Sequence, residues 1–89
     1  ANVKAQGLNS RINVSVGNEN LSAVIKKLEI KSNLVFAYDE AYLGLKNIYV
    51  KPASFTNEPL ETVLTGILRY SGIGFKEEAG NILLFKQGS

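Results

Sequence analysis

The 89-residue sequence contains no histidine and no cysteine. Histidine is the commonest general base, and imidazole and thiolate are the usual protein ligands of transition metals. Zinc sites, haem attachment, disulfides and cysteine nucleophiles are therefore excluded, and we expect no metal and no cofactor. No apolar run approaches the roughly 18 to 20 residues that span a bilayer, and no secretory leader opens the chain. We expect a soluble domain that has been processed or excised from its parent.

Charge is sparse and nearly balanced. Ten Lys and Arg residues stand against eight Asp and Glu residues, which gives a formal net charge of +2. The basic residues are scattered from Lys4 to Lys86, whereas nucleic-acid binders usually concentrate them on one stripe. The length allows one small domain, in which 45% hydrophobic residues supply a single core. Composition leaves the cellular compartment open.

Residues 11–38 have the periodicity of a strand, a helix and a second strand. Apolar and polar residues alternate from Ile12 to Val16, as in a half-buried strand. Asn18 is a suitable N-cap for the helix that follows, which ends near Ser32. The apolar run 34–38 is typical of a buried strand. The helix carries one apolar stripe, which consists of Leu21, Val24, Ile25 and Leu28.

A similar unit occupies residues 48–86. Its first strand is interrupted by Pro52, which cannot donate to a ladder and so predicts an edge or a bulge. Asn57, Glu58 and Pro59 predict the start of a helix, because they combine a cap, an acid and a first-turn proline. A hairpin with its turn at Ala79-Gly80 follows. The helix stripe consists of Leu60, Val63, Leu64, Ile67 and Leu68.

The two units superimpose at an offset of 39 residues. The matched pairs are Leu21 with Leu60, Val24 with Val63, Ile25 with Leu64, Leu28 with Ile67, Ser32 with Ser71, and Phe36 with Phe75. We therefore predict an α+β domain of two pseudo-symmetric β-α-β repeats, residues 11–38 and 48–86, whose helix stripes form one shared core. We expect residues 1–10 to form a flexible arm, residues 11–87 to form the domain, and residues 88–89 to be linker or cloning scar.

The order of these signals resembles the secretin and TonB N-terminus short domain (STN domain). The resemblance covers about residues 12–86 and departs from the family at Pro52, where an uninterrupted strand is more usual. It implies two helices sandwiched between a two-stranded and a three-stranded sheet. The motifs that carry it are Ile12 to Val16 with Asn20 to Ile25, Ser32 to Asp39, Phe55 to Leu64, and Ser71 to Phe75 with Asn81 to Phe85.

The stretch Phe36 to Asp39 is most similar to the form of the STN domain found in TonB-dependent outer-membrane receptors of the Bacteroidetes kind. There the domain lies in the periplasm, ahead of the plug and barrel, and passes the ligand-loaded state to an inner-membrane anti-sigma regulator. The resemblance thus implies a non-enzymatic signalling or docking domain in the periplasm of a Gram-negative bacterium. Its partner would be the periplasmic region of that regulator, with no small-molecule substrate, no nucleic acid and no direct membrane contact.

Features that could suggest catalysis have ordinary explanations. The acid pairs Asp39-Glu40 and Glu77-Glu78 fall in a link and beside a turn, where acids are usually solvated. Ser71 has no base to activate it and suits a helix terminus. The stretch Gly72 to Gly74 is too short for a dinucleotide loop and follows a helix instead of a strand. We therefore expect no catalytic residues and no enzyme.

A basic group on the first helix is the candidate protein-binding site. Lys26, Lys27 and Lys31 lie on its outer face, and Ile30 lies about 180° from Leu21, so it should project outward beside the lysines. Such a group is usually a solvated face. As a functional surface, it would attract an acidic, strand-donating segment of the partner, which would dock beside the helix.

Three other functions remain open from the sequence. Two are the N-terminal domain of a secretin and the C-terminal domain of the anti-sigma regulator itself, which has similar β-α-β repeats. The third is a single-stranded nucleic-acid binder, which would need its tyrosines and lysines on one sheet face. The tyrosines in question are Tyr38, Tyr42, Tyr49 and Tyr70. We expect the isolated chain to be a folded monomer.

Overall fold

A computed structural model describes residues 7–88, which form an α+β fold. The predicted class is confirmed: two β-α-β repeats pack together, with their long helices between small sheets. One short helix, α2, was not predicted. The elements are β1 (Arg11–Val16), β2 (Glu19–Asn20), α1 (Leu21–Ser32), β3 (Phe36–Ala37), α2 (Glu40–Leu43), β4 (Tyr49–Val50), β5 (Ala53–Pro59), α3 (Leu60–Leu68), β6 (Ile73–Glu78) and β7 (Asn81–Lys86).

Each repeat contributes to both main sheets. β1 and β5, the first long strand of each repeat, form an antiparallel pair. In the three-stranded sheet, β7 lies in the middle, parallel to β3 and antiparallel to β6. β2 and β4 form a third, two-residue ladder. Both predicted helix stripes are buried, and their members are Leu21, Val24, Ile25, Leu28, Leu60, Val63, Leu64, Ile67 and Leu68.

Two equivalent serines connect the long helices to the strands that follow. The Ser32 hydroxyl donates to the Leu28 carbonyl at 2.7 Å and accepts the N–H of Leu34 at 3.3 Å. The Ser71 hydroxyl donates to the Leu68 carbonyl at 2.6 Å and accepts the N–H of residue 73 at 3.0 Å. Each hydroxyl thus links a carbonyl of the last helical turn to the N–H two residues further along the chain. The match of Ser32 with Ser71 reflects this shared hydrogen bonding, although the backbones of the two helix ends differ.

The N-terminal caps of both long helices differ from the prediction. Asn20 caps α1 by accepting the N–H of Ala23 at 2.9 Å, because the extended pair of β2 and β4 carries the chain two residues past Asn18. Asn57 is not a cap; it lies in a β-bulge at φ 52°, where its N–H donates to Asn13 Oδ1 at 2.7 Å. α3 instead starts after Pro59, with no side-chain cap.

The run 34–38 is not a buried strand. Of this run, only β3 pairs with another strand, and β3 lies at the edge of its sheet. Val35 is exposed. The N–H of Phe36 donates to Glu29 Oε2 of α1 at 3.1 Å, so a side chain occupies that position of the edge. A buried central strand pairs on both sides, whereas within residues 7–88 β3 pairs only with β7 and is bonded by Glu29 on its other side.

The connection 39–47 between the two repeats, for which no regular structure was predicted, is ordered. It folds into α2 and a 3-10 turn, Leu45–Asn47, and buries Leu43 and Leu45 in the core. Pro52 does not bulge a single strand. It separates β4 from β5, which belong to different ladders.

The N-terminal segment packs on the domain from residue 7, which differs from the expected arm over residues 1–10. Gly7–Asn9 forms a 3-10 turn, and the N–H of Leu8 donates to Glu77 Oε1 at 3.1 Å. The carbonyl of Ser10 accepts the first N–H of α3 at 2.7 Å. The first N–H of α3 has no acceptor within the helix, and the N-terminal segment supplies one. Residues 1–6 and 89 lie outside the described residues, and the predictions made for them are not tested here.

Candidate protein-binding surfaces

The acidic side chains that could suggest a catalytic or metal site are separated from one another. Asp39 caps α2 by accepting the N–H of Tyr42 at 3.0 Å, and Glu40 pairs with Lys46 at 3.6 Å. Glu77 holds the N-terminal segment, and Glu78 lies on the surface beside a lysine. Within residues 7–88, no three acids come close enough together to hold a metal ion. None of the helices in this part of the chain is long and apolar enough to cross a membrane.

The predicted basic site on α1 is brought together in part. Lys26 and Lys31 are exposed, and Ile30 between them is 81% exposed, as the helical spacing predicted. An isoleucine so exposed contributes nothing to the core, although single exposed apolar residues are common. Lys26, Ile30 and Lys31 are called the lysine face below. It presents one apolar side chain between two cations.

Lys27, the fourth predicted residue, is engaged within the domain. Its Nζ donates to Glu19 Oε2 at 2.9 Å and to the carbonyl of Ser15 at 2.9 Å. Glu19 also accepts the N–H of Gly17 at 2.9 Å. These bonds lower the pKa of Glu19, chiefly through the Gly17 N–H and then through Lys27. Lys27 thus ties α1 to the free edge of β1 and to the turn after it, and it is a weaker candidate for partner contact.

The four tyrosines fall into two pairs at different places. Tyr38 is half-buried, and Tyr42 lies under Lys86, whose Nζ is 5.3 Å from the ring centroid; both line a shallow hollow beside β7. Tyr49 is 68% exposed and Tyr70 is 97% exposed; both line a second hollow. The tyrosines and lysines are thus not gathered on one sheet face.

This second hollow is a surface that sequence reasoning missed. It lies between the end of α3 and the connection from β4 to β5, with a volume of about 400 Å³. We call it the tyrosine groove, after its rim residues Tyr49, Lys51, Arg69 and Tyr70. No local sequence signal marks it, because the apolar stripe of the second helix runs to Leu68 and does not end earlier than that of the first.

Comparisons with known proteins concern the fold. The sequence matches no protein-family model and no curated protein. The ferripyoverdine receptor of the outer membrane of Pseudomonas aeruginosa, bound to ferripyoverdine, superposes with a TM-score of 0.73 at 10% identity over 85% of this chain. P. aeruginosa FpvA bound to a heterologous pyoverdine superposes with a TM-score of 0.72 at 11% identity over 84% of this chain.

The chain has the fold of one segment of an outer-membrane receptor. It covers 10% of the length of each of the two receptor chains. At 10% to 11% identity, the likeness extends to backbone architecture and leaves the surface residues to be interpreted on their own.

Proposed function

We propose that this chain is a periplasmic signalling and docking domain of a TonB-dependent outer-membrane receptor. The observation that carries the proposal is the shared fold with a segment of an outer-membrane receptor at a TM-score of 0.73. The order of the sequence motifs resembles that of the STN domain. It supports the same assignment independently of the fold comparison. In a receptor, this domain would be followed in sequence by the plug and the barrel. In a secretin or a regulator, the sequence would continue differently.

The work of such a domain is binding without chemistry. The side chains that could have catalysed a reaction are used in caps, turns and surface pairs. A docking domain needs instead a stable core and an accessible face. Among residues 7–88, nine large side chains are fully buried, which gives the rigid support that a preorganised interface requires.

The lysine face is the proposed contact for the periplasmic region of an anti-sigma regulator. Lys26 and Lys31 supply positive charge that increases the rate of encounter with an acidic partner, because long-range attraction acts before contact. Ile30 supplies an apolar side chain that becomes buried on binding, which slows dissociation. Lys27 acts indirectly, by fixing α1 against β1.

The proposal is tested by titrating the isotope-labelled chain with the regulator region encoded beside the parent receptor. We expect chemical-shift changes centred on residues 26–31. Lys26→Glu should slow association and reduce its salt dependence, whereas Ile30→Asp should chiefly speed dissociation. Lys46→Glu is the matched control, because Lys46 is also an exposed lysine but lies after α2.

Three results would count against the proposal at different levels. Shifts confined to residues far from 26–31 would remove the lysine face and leave the docking function intact. Absence of any binding, together with a parent gene that continues as a secretin, would remove the receptor assignment itself. Binding of single-stranded oligonucleotides at physiological salt would replace protein docking with nucleic-acid binding.

A further inference from the structure

The tyrosine groove carries an inference that does not depend on the lysine face. We propose that it binds an acidic, extended segment of a partner protein, with Tyr49 and Tyr70 as apolar contacts and Lys51 and Arg69 as ion-pair donors. The segment would lie between the end of α3 and the beginning of β5. Four features of the groove support this: its backbone, its contrast with the first repeat, its charge and its open edge.

The backbone at the end of α3 is a type II turn with tyrosine in the glycine position. Arg69 has φ −56° and ψ 132°, Tyr70 has φ 64°, and the N–H of Ser71 donates to the Leu68 carbonyl at 2.9 Å. The third residue of such a turn needs a positive φ and is usually glycine or asparagine. A bulky residue is unfavourable there. Because Tyr70 is 97% exposed, packing within the domain does not compensate this cost.

The first repeat shows that the turn is not required by the fold. The equivalent of Tyr70 is Lys31, which is helical, and α1 continues to Ser32 through 12 residues. α3 has 9 residues and ends at Leu68. The second repeat thus gives up a helical turn, and the outcome is a pair of side chains, Arg69 and Tyr70, directed away from the core. Strained residues that the fold does not need are found at binding sites more often than elsewhere.

The charge of the groove is of one sign. Lys51 and Arg69 both line it, and neither forms an ion pair with any residue from 7 to 88. The lining contains no Asp and no Glu. A carboxylate-bearing partner would meet two cations here, and Arg69 can bind a carboxylate through two parallel hydrogen bonds. Tyrosine and arginine are also the residues that most often dominate binding energy in interfaces.

The edge of β5 left unpaired in the described part of the chain accounts for the extended conformation of the partner. In the first repeat, Lys27 spans from the helix to the edge of the strand at Ser15. Its equivalent is Gly66, which has no side chain and lines the groove together with Ala53. In residues 7–88, β5 pairs only with β1, so its other edge can accept an additional strand.

The test is a selection of binders from a random octapeptide library displayed on their encoding RNA, with the intact chain as bait. We expect the selected peptides to be enriched in Asp and Glu. Their affinity should fall by at least about tenfold in Arg69→Glu and in Tyr70→Gly. Lys46→Glu, with the same charge change elsewhere, should leave affinity unchanged. Tyr70→Gly relieves the turn, so its loss of binding would not be due to unfolding.

Three results would overturn the proposal. These are failure to enrich any binder, binders without excess acid, and acidic binders whose affinity is the same for wild type and both groove variants. The last result would direct attention to another basic surface, such as the lysine face. The selection contains no regulator, so its outcome is separate from that of the regulator titration.

Discussion

Ser15 and Ser54 face each other across the β1–β5 ladder, with their hydroxyl oxygens 3.1 Å apart, and they are 39 residues apart in the chain. The same offset relates the two repeats. In an antiparallel pair of equivalent strands, a residue opposite its own equivalent lies on the two-fold axis. The pseudo-symmetry axis of the domain therefore passes between these serines, and their neighbours pair crosswise, Val14 with Phe55 and Val16 with Ala53.

Replacement of Leu64 by alanine should destabilise the domain by about 2 to 5 kcal/mol. Leu64 is fully buried in the core shared by both helices, so the substitution removes apolar contacts and leaves a cavity. Urea unfolding measures the change. Thr65→Ala, one position along on the exposed face of α3, is the control and should change stability by no more than about 0.5 kcal/mol. Equal effects of the two substitutions would mean that the helix is oriented differently.

Replacement of Tyr70 by glycine should stabilise the domain by about 0.5 to 1 kcal/mol. Relief of a left-handed conformation is favourable by about 1 to 2 kcal/mol, and the greater freedom of glycine in the unfolded chain offsets part of it. Lys31→Gly, at the equivalent helical position, should instead destabilise by about 1 kcal/mol. Thermal unfolding of both variants checks the contrast. A destabilised Tyr70→Gly variant would show that the tyrosine ring packs against the domain.

Acidification should destabilise the domain in part through Glu19. Its pKa is lowered in the folded state, so its contribution to stability is complete above the ordinary value of 4.5 and is lost as the pH falls through the lower folded pKa. Urea unfolding at a series of pH values from about 7 downward measures the loss. The loss should be smaller in Glu19→Gln than in wild type. Glu78→Gln, in a looser exposed pair at 3.9 Å, should behave like wild type.

The desalted protein should contain no stoichiometric transition metal. The sequence has neither histidine nor cysteine, and the acids of residues 7–88 are dispersed. Elemental analysis after dialysis against a chelator measures the content. One equivalent of zinc, iron or copper that survives this treatment would contradict the prediction and would reopen a catalytic role.

Sequence patterns predicted the parts of the fold that repeat along the chain. The helix stripes are intrinsic to each helix, so spacing alone identified Leu21 and Leu64 as core residues. The positions of the caps depend on pairing between distant segments. Asn20 displaces Asn18 because β2 pairs with β4, and Asn57 enters a bulge because β1 is one residue shorter than β5 across from it. Such pairings have no local signature in the sequence.

In the candidate surfaces, too, local spacing predicted some features, and others depend on tertiary structure. Exposure of Ile30 follows from its position on α1 and was predicted correctly. The engagement of Lys27 with Glu19 and Ser15 depends on the turn between β1 and β2, which the sequence does not define. The groove around Tyr70 was missed because its backbone angle is set by the way α3 ends, and tyrosine is not a residue from which a type II turn is predicted.

The central place of β7 in the three-stranded sheet has a consequence for how the chain matures. β7 is the last strand of the domain, and it bonds to β3 from the first repeat and to β6 from the second. A polypeptide is synthesised from its N-terminus, so β3 lacks its sheet partner until residues 81–86 have been made. Until then Ile82 and Leu84 are missing from the core that covers the helix stripes. The domain must therefore complete its folding only after its final strand has emerged, and chaperones that protect exposed apolar segments would act in that interval.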